Sequence, residues 1–218
     1  MISNRKSVIA VATFMILALA TLISAQESEI VKLPAPQMTG GQPLMDCLKS
    51  RQSYREFVLD RLSPQVLSNL LWAANGVNRP DSGKRTAPSA VNWQDIDIYL
   101  GTADGLFLYL PKEHALKKIL SKDVREAMGS QEFVKSVPVN LIYVSDYSKL
   151  ARGTDEDKLF YSGAHSGFIS QNVYLFCASE GLATVVRGLV DREALAKTMM
   201  LRPDQHITLG QSVGYPKN

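Results

Sequence analysis

The long segment at residues 161–180 reads YSGAHSGFISQNVYLFCASE, and GLATVV follows it at residues 181–186. Its apolar residues recur at spacings of three and four without a proline, which predicts an α-helix. Gly181 ends that helix, and the short apolar run at 183–186 predicts a strand. Because apolar positions nearly encircle the helix, we expect it to be buried on most sides.

Signals of further elements flank this helix on both sides. Ser63 and Pro64 mark a helix start, because serine is a common N-cap and proline fits the first turn. The patterns predict helices from residue 43 onward and at 64–75, 116–128 and 192–200, strands at 96–100, 106–110, 139–144 and 207–213, and a long polar loop at 78–94. This order predicts an α+β domain at residues 43–218, with helices flanking a mixed central sheet, after an extended leader at 26–42.

The charge and composition of the chain exclude two broad classes of protein. The 24 Lys and Arg residues stand against 21 Asp and Glu, which gives a net charge of +3, and 45% of the residues are hydrophobic. A nucleic-acid-binding protein needs a concentrated basic face, and a disordered chain holds far fewer apolar residues. The sequence therefore predicts a globular domain that buries its own core and has no nucleic-acid partner.

Residues 1–25 have the organisation of an export signal. A basic start at 1–7 precedes an uncharged apolar run of 16 residues at 8–23, and Ser24-Ala25 offers a small-residue cleavage site. The run is short for a bilayer span of about 20 residues. We therefore expect cleavage before Gln26 and, in a bacterium, a periplasmic protein without membrane attachment. The alternative is an uncleaved signal that anchors the chain in the membrane.

Export would allow the only two cysteines, Cys47 and Cys177, to pair. Both lie among apolar residues, and their separation of 130 positions does not establish that they are close in space. Two buried free thiols are the favoured interpretation, and a disulfide is the alternative.

Common cofactor and metal motifs are missing from the sequence. No G-x-G-x-x-G follows a strand, so a Rossmann dinucleotide site is unsupported. Gly83-Lys84-Arg85 resembles the end of a P-loop, but Asn78 and Arg85 replace the glycine and the Ser or Thr that the motif requires. The three histidines lack ligand spacing, so we predict no metal site. His165 is interpreted as packed or hydrogen-bonded rather than catalytic.

Four segments carry a resemblance to a known family through their order and spacing. They are RQSYREF at 51–57, LLWAANGV at 70–77, RTAPSAVNWQ at 85–94, and a last segment that runs from QN at 171–172 through EGLAT at 180–184 to Gly188 and VGYP at 213–216. Together they resemble the FMN-dependent nitroreductase family, including its thiazoline/oxazoline dehydrogenase-like branch. The resemblance covers about residues 43–216. It implies a nitroreductase-like fold, FMN as cofactor, and a homodimer with the long helix at the interface.

The resemblance also implies which residues hold the phosphate of FMN. Arg51 and Ser53, with Gln52 between them, are placed on the phosphate, and Arg55 nearer the ribityl chain or the pyrimidine end of the ring. Arginine forks match a phosphate geometrically, and a serine hydroxyl adds a short donor. Relatives commonly add a cation from a longer C-terminal tail, for which Lys217 is the sole candidate here.

A second group of residues is implied to contact the flavin ring. Asn92 both donates and accepts hydrogen bonds, which suits the mixed edge of the pyrimidine. The remaining members shape the loop against the ring or lie near its N5 edge: Pro88, Ser89 and Ala90 in the loop, and Val186, Arg187 and Gly188 near N5. Many relatives carry Glu-Gly where this chain has Arg187-Gly188, and a cation there would change the field around N5.

By resemblance, the activity is an exported FMN oxidoreductase with ping-pong transfer of electrons or hydride. The acceptor would be a nitro compound, a quinone or a similar small molecule, or a small substrate would be dehydrogenated; the electron donor is unknown. In such enzymes the cofactor carries the chemistry, so no catalytic side chain is assigned. The alternative is a family member that binds flavin or another ligand without turnover.

Overall fold

The computed structural model describes residues 29–217; the predicted export signal and residue 218 lie outside the described residues. Within them, four α-helices are present: α1 Leu44–Ser50, α2 Pro64–Asn75, α3 Asp155–Glu180 and α4 Arg192–Thr198. Nine strands accompany them: β1 Ile30–Lys32, β2 Val77–Arg79, β3 Lys84–Arg85, β4 Ile96–Thr102, β5 Gly105–Leu110, β6 Ala115–Leu120, β7 Val139–Asp146, β8 Ala183–Arg187 and β9 Gln205–Gly214. The α+β class that the sequence predicts is confirmed.

Seven strands form one sheet in the order β1-β6-β5-β4-β7-β9-β8. We expected a mixed sheet, but each neighbouring pair in the described chain runs antiparallel. Side chains alternate across the inner strand β7. Leu141 and Tyr143 pack in the core under α2 and α3, whereas Ile142 and Val144 pack in a second core with α4. The sheet is therefore covered on both faces.

Helix α2 begins at the residue that the sequence predicts. Ser63 Oγ accepts a hydrogen bond from the Val66 N–H, and Pro64 occupies the first turn. The long helix α3 begins six residues earlier than the apolar pattern indicates. Thr154 and Asp157 form a capping box at its start, and polar residues in the first turns hide this extension from a hydrophobicity pattern.

The helix predicted at 116–128 is wrong. Strand β6 occupies the first part of this range and pairs with both β5 and β1, and only a short 3₁₀ turn at Arg125–Met128 follows. Leucine and lysine favour helices in isolation, but backbone pairing with two neighbouring strands outweighs that local preference.

Two regions without predicted structure also contain strands. Residues 30–32, in the predicted leader, add strand β1 to the edge of the sheet. The predicted polar loop at 78–94 contains most of the separate β2–β3 hairpin. Gly83 turns this hairpin at φ +62°, a left-handed conformation that glycine adopts without strain.

Helix α3 is buried on one side rather than on most sides of a single chain. Ile169, Val173 and Cys177 pack into the core, but Phe160 is 69% exposed and Phe168 is 46% exposed. A Cβ added at Gly163 or Gly167 would meet no atom within 4 Å. One line of exposed residues, with the half-buried Gly167 among them, is called the α3 stripe: Phe160, Gly163, Gly167, Phe168 and Gln171. No Asp, Glu, Lys or Arg lies between Lys158 and Glu180, so the stripe carries no formal charge.

Both cysteines are buried free thiols, as the favoured interpretation holds. Burial raises the pKa of the Cys177 thiol, which makes it a weak nucleophile. Among residues 29–217, no helix has the length and apolar character that crossing a membrane requires.

Candidate functional site

The segment after α1 joins the sheet through its backbone. Helix α1 ends where the Arg51 N–H donates to the Cys47 carbonyl, 2.8 Å away. The chain then extends along β8, and the Tyr54 N–H donates to the Thr184 carbonyl at 2.9 Å. Arg51 and Ser53 are thereby held beside the end of the sheet.

Tyr174, in the C-terminal half of α3, connects the two predicted parts of this region. Its hydroxyl oxygen lies 2.7 Å from Ser53 Oγ and accepts the N–H of Val186 at 3.0 Å. Its ring lies under the Arg51 guanidinium, whose carbon is 5.1 Å from the ring centroid. One buried side chain thus touches the predicted phosphate residues and the predicted N5-edge strand. The sequence does not reveal this role, because a tyrosine on a buried helix carries no local signal of such contacts.

The cations of this region have no carboxylate partner among the described residues. Neither Arg51 nor Arg55 forms an ion pair there, and the side chain of Gln52 bonds only to the Tyr54 hydroxyl, at 2.7 Å. The tail passes close by, since the Lys217 N–H donates to the Glu56 carbonyl at 3.2 Å. Unpaired guanidinium groups beside a serine hydroxyl form a donor set that fits a phosphate.

Arg187 differs from its predicted surroundings. Its side chain is buried and donates to the Met128 carbonyl at 2.9 Å and to Asn140 Oδ1 at 3.0 Å. Met128 packs in the α4 core, so the guanidinium lies on the sheet face opposite α3. Burial lowers the pKa of Arg187 to about 10. The strand end still presents the backbone of Val186 and Arg187 and the exposed Gly188. The charged guanidinium of Arg187, however, points away from Tyr174.

A second cluster holds the loop that contains Asn92. The Ala90 N–H donates to Nε2 of His165 at 2.8 Å, and Nδ1 of His165 lies 2.6 Å from Oδ1 of Asp95. A backbone N–H only donates, so Nε2 must accept, and Nδ1–H then donates to Asp95. Ser145 Oγ donates to the other Asp95 oxygen at 2.9 Å. His165 is therefore hydrogen-bonded at both nitrogens, as the sequence interpretation favoured.

The hydrogen bonds from His165 and Ser145 also affect the charge of Asp95. Burial alone raises the pKa of Asp95, but hydrogen bonds from His165 and Ser145 outweigh it and hold the pKa below its usual range. The carboxylate is therefore ionised at neutral pH, and it fixes the tautomer of the imidazole.

The same loop has an unusual backbone. Val91, Asn92 and Gln94 have φ values of +42°, +60° and +51°, which residues other than glycine rarely adopt. Ser89 Oγ accepts the Gln94 N–H at 3.0 Å, and the Gln94 side chain donates to Asn92 Oδ1 at 3.1 Å. Asn92 is exposed and its amide nitrogen keeps its donors free within the described residues. Such strain persists only where surrounding contacts enforce it, and it concentrates at functional sites.

The two predicted groups of residues do not meet within one chain. His165 and Tyr174 are nine residues apart on α3, which corresponds to a rise of about 14 Å and two and a half turns. The Ala90 contact and the Ser53 contact therefore lie on opposite sides of the helix. One end of α3 gathers the segment at 51–55, the strand end at 186–188 and the tail. The loop at 88–92 lies apart from them.

The sequence model of the nitroreductase family matches residues 48–215. The chain belongs to the nitroreductase family. This match runs from within α1 to just past β9 and contains every candidate site residue except Lys217.

Similar proteins agree with the family assignment. A nitroreductase-like protein of Methanocaldococcus jannaschii is 32% identical over 155 residues, which are 66% of this chain and 78% of that protein. The crystal structure of a Ralstonia eutropha protein of the nitroreductase type is 38% identical and superposes with a TM-score of 0.84, over 89% of this chain and 92% of that one. A Desulfovibrio desulfuricans nitroreductase-type structure in complex with FMN shares the fold at 18% identity, with a TM-score of 0.59 over 81% and 88% of the two chains.

Proposed function

We propose that this nitroreductase-family protein is an FMN-dependent oxidoreductase that reduces a nitro compound, a quinone or a similar small acceptor. The family supports an oxidoreductase, and FMN occurs in a structure of the same fold. The observation that carries the proposal is that Tyr174 brings together the Ser53 hydroxyl and the Arg51 guanidinium, which has no ion pair within the described residues. When bound, FMN supplies a ring that takes up and releases two electrons.

The residues of the chain bind and orient in this proposal. Arg51 and Ser53 hold the phosphate dianion, and Arg55 and Lys217 add positive charge from the two sides of the segment. Tyr174 fixes the position of Ser53. The Val186 N–H is engaged with Tyr174, so Gly188 is the exposed member of the strand end toward the ring. Asn92 presents its amide to the polar edge of the ring.

We propose further that the protein is a homodimer whose site is completed by both subunits. The group around Tyr174 and the loop around Asn92 lie on opposite sides of α3, so one flavin of ordinary size would take its phosphate from one chain and its loop from the partner. The uncharged α3 stripe supports this arrangement, because exposed phenylalanines beside glycines allow two helices to approach closely.

The first experiment is purification followed by a flavin assay. A yellow protein with one FMN per chain supports the proposal, and a colourless protein that does not take up FMN contradicts it. Anaerobic reduction followed by mixing with a nitroaromatic or a quinone tests turnover. Reoxidation by the acceptor supports the oxidoreductase. Bound flavin that no acceptor reoxidises favours the alternative, a family member that binds flavin without turnover.

The dimer is tested on the α3 stripe itself. Gly163→Leu places a side chain where a single chain has open space, so it should leave the fold intact and block helix approach. Light scattering should report a dimer for the wild type and a monomer for this variant, with loss of FMN. Glu193→Leu on the exposed face of α4 is the matched control and should remain a dimer. A wild-type monomer with bound FMN would refute the shared site.

We also propose that the chain is exported to the periplasm. The organisation of residues 1–25 supports this. NAD(P)H is not abundant outside the cytoplasm, so the electron donor would be a different reductant.

A further inference from the structure

A basic cleft of about 370 Å³ lies between the β2–β3 hairpin and the loop that contains Asn92. Three cations of the hairpin line it: Arg79, Lys84 and Arg85. The other walls belong to the loop: Ala87, Pro88, Ser89, Val91 and Asn92. The segment Gly83-Lys84-Arg85, which fails as a P-loop, therefore still brings its charges to a cavity beside the candidate ring-binding residues.

The cations of the basic cleft lack acidic partners. No carboxylate lines the cleft, and none of the three forms an ion pair among residues 29–217. Arg79 donates to Asn78 Oδ1 and to the Arg85 carbonyl, at 3.0 and 2.8 Å, and neither acceptor is charged. Within that part of the chain, the Arg85 guanidinium donates no hydrogen bond at all, although it is half-buried.

The acidic groups nearest to the hairpin form no ion pair with its cations in the described chain. Asp95 is bound by His165 and Ser145, and Asp97 is paired with Lys149 at 2.6 Å. Asp81 is exposed in the turn of the hairpin and forms no ion pair in the described chain. Burial lowers the pKa of Arg85, although Asp97, Tyr109 and Asp95 oppose this effect.

A half-buried guanidinium without hydrogen bonds is an unfavourable arrangement that an anion would relieve. Removing a charged group from water costs free energy unless partners replace the lost water. Arginine forks bind carboxylate and phosphate oxygens with two parallel hydrogen bonds, which makes an oxyanion the matching ligand. The volume is within the range of small-molecule sites.

We propose that the basic cleft binds the oxyanion, a carboxylate or a phosphate, of the small-molecule substrate. Arg79, Lys84 and Arg85 hold the anion, and the uncharged part of the substrate extends toward Val91 and Asn92. This placement rests on the proposed function, because Asn92 is the residue assigned to the ring. The substrates of the enzyme are then small molecules that carry a negative charge.

The test compares probes that differ in charge. 4-Nitrobenzoate and 4-nitrophenyl phosphate are the two anions, and 4-nitrobenzamide is the neutral match. Binding is followed by titration with NMR detection of the Lys84 and Arg85 amides, in flavin-free and in flavin-loaded protein. At least one anion should bind about tenfold tighter than the amide, as expected for one charge-assisted contact. Which anion binds more tightly identifies the carboxylate or the phosphate as the ligand.

Variants assign the binding to the cleft. Lys84→Gln, at an exposed position, should weaken the preferred anion several-fold and leave 4-nitrobenzamide unchanged. Arg85→Gln should have a larger effect, about tenfold. Lys197→Gln on α4, on the other face of the sheet, is the matched control and should change neither.

Three results would overturn the proposal. The first is that the anions and the amide bind equally well. The second is that Lys84→Gln leaves the affinity for the anions unchanged. The third is that Lys84→Gln weakens the binding of FMN but not of riboflavin, in which case the cleft holds the phosphate of FMN. The titration of flavin-free protein distinguishes failure of this proposal from failure of the proposed function. A protein that binds no flavin refutes the proposed function, but its anion titration still shows whether the cleft binds an anion.

Discussion

His165 and Asp95 form a buried pair in which Nδ1 of the imidazole lies 2.6 Å from Oδ1 of the carboxylate. The opposite ring nitrogen accepts the N–H of Ala90. The pair therefore links the residue before strand β4, helix α3 and the loop that contains Asn92. A contact between residues 70 positions apart thus fixes the conformation of a loop whose own φ angles are unfavourable.

Replacing His165 should disturb the ring side of the flavin site and spare the phosphate side. His165→Leu removes the acceptor of the Ala90 N–H, and a buried unpaired donor costs about 1–3 kcal/mol. FMN and riboflavin should both bind about tenfold more weakly, with equal factors, in titrations of flavin-free protein. His206→Gln, at an exposed position of β9, is the control. A loss confined to FMN would contradict this prediction.

Arg51 and Asn92 should separate the two ends of the flavin. Arg51→Ala removes a charge-assisted contact of about 1.5–3 kcal/mol, so FMN affinity should fall about tenfold to a hundredfold. Riboflavin has no phosphate, and its affinity should hardly change. Asn92→Ala should weaken both flavins by a similar factor and shift the flavin midpoint potential. If Arg51→Ala weakens riboflavin as much as FMN, Arg51 is a structural residue.

Tyr174→Phe tests the hydroxyl that connects Ser53 with the backbone of Val186. The substitution leaves the Val186 N–H without its acceptor, so we expect a loss of about 1–3 kcal/mol in the free energy of unfolding. FMN affinity should fall as well, because Ser53 loses its support. Tyr109→Phe is the matched control: its buried hydroxyl bonds to His114 at 2.9 Å, rather than to Ser53 or Val186. The control should lose stability and retain FMN affinity, and equal FMN losses in both variants would refute the role of Tyr174.

The Asp95 carboxylate should make the free energy of unfolding depend on pH in the acid range. Its pKa is lower in the folded chain than the ordinary value of 3.8, so the folded state favours the ionised form. The stabilisation is then fully present above the ordinary value and is lost as the pH falls through it toward the folded pKa. Urea unfolding from about pH 6 to about pH 3 should show the advantage of the wild type over Asp95→Asn shrinking toward the acid end. A constant difference would contradict this; the exposed Asp81→Asn is the control.

The mature protein should begin at Gln26 in the periplasm. The basic start, the apolar run of 16 residues and Ser24-Ala25 support cleavage at that point. N-terminal sequencing of protein from the native host measures it. A chain that still starts at Met1 in the membrane fraction would favour the uncleaved anchor.

The sequence predicts the elements whose signals are local. Ser63, Pro64 and Gly76 mark the ends of α2 correctly, because caps act through neighbouring backbone groups. The hairpin of β4 and β5 also agrees with its glycines. The error at β6 has the opposite origin. Its strand conformation depends on pairing with β5 and with β1, and no window of the sequence contains that information.

The candidate site divides in the same way. Motif spacing predicts Arg51, Ser53 and Asn92 as candidates, since family patterns record residue types along the chain. It does not identify Tyr174, which lies 121 positions from Ser53, or the partnership of His165 with Asp95. Nor does it predict that the Arg187 side chain turns to the face opposite α3. These features arise from tertiary contacts that only the folded chain brings together.

The short strand β1 has a consequence for the solubility of the protein. Edge strands expose unpaired backbone groups, which can pair with another molecule and lead to aggregation. Strand β1 has three residues and ends in Lys32, and it covers the longer β6. At the opposite edge, the main chain at Tyr54 covers part of β8. A chain that begins at residue 43 would keep the buried residues of both cores, but it would expose β6 as a six-residue edge strand. We therefore expect such a chain to aggregate before it unfolds.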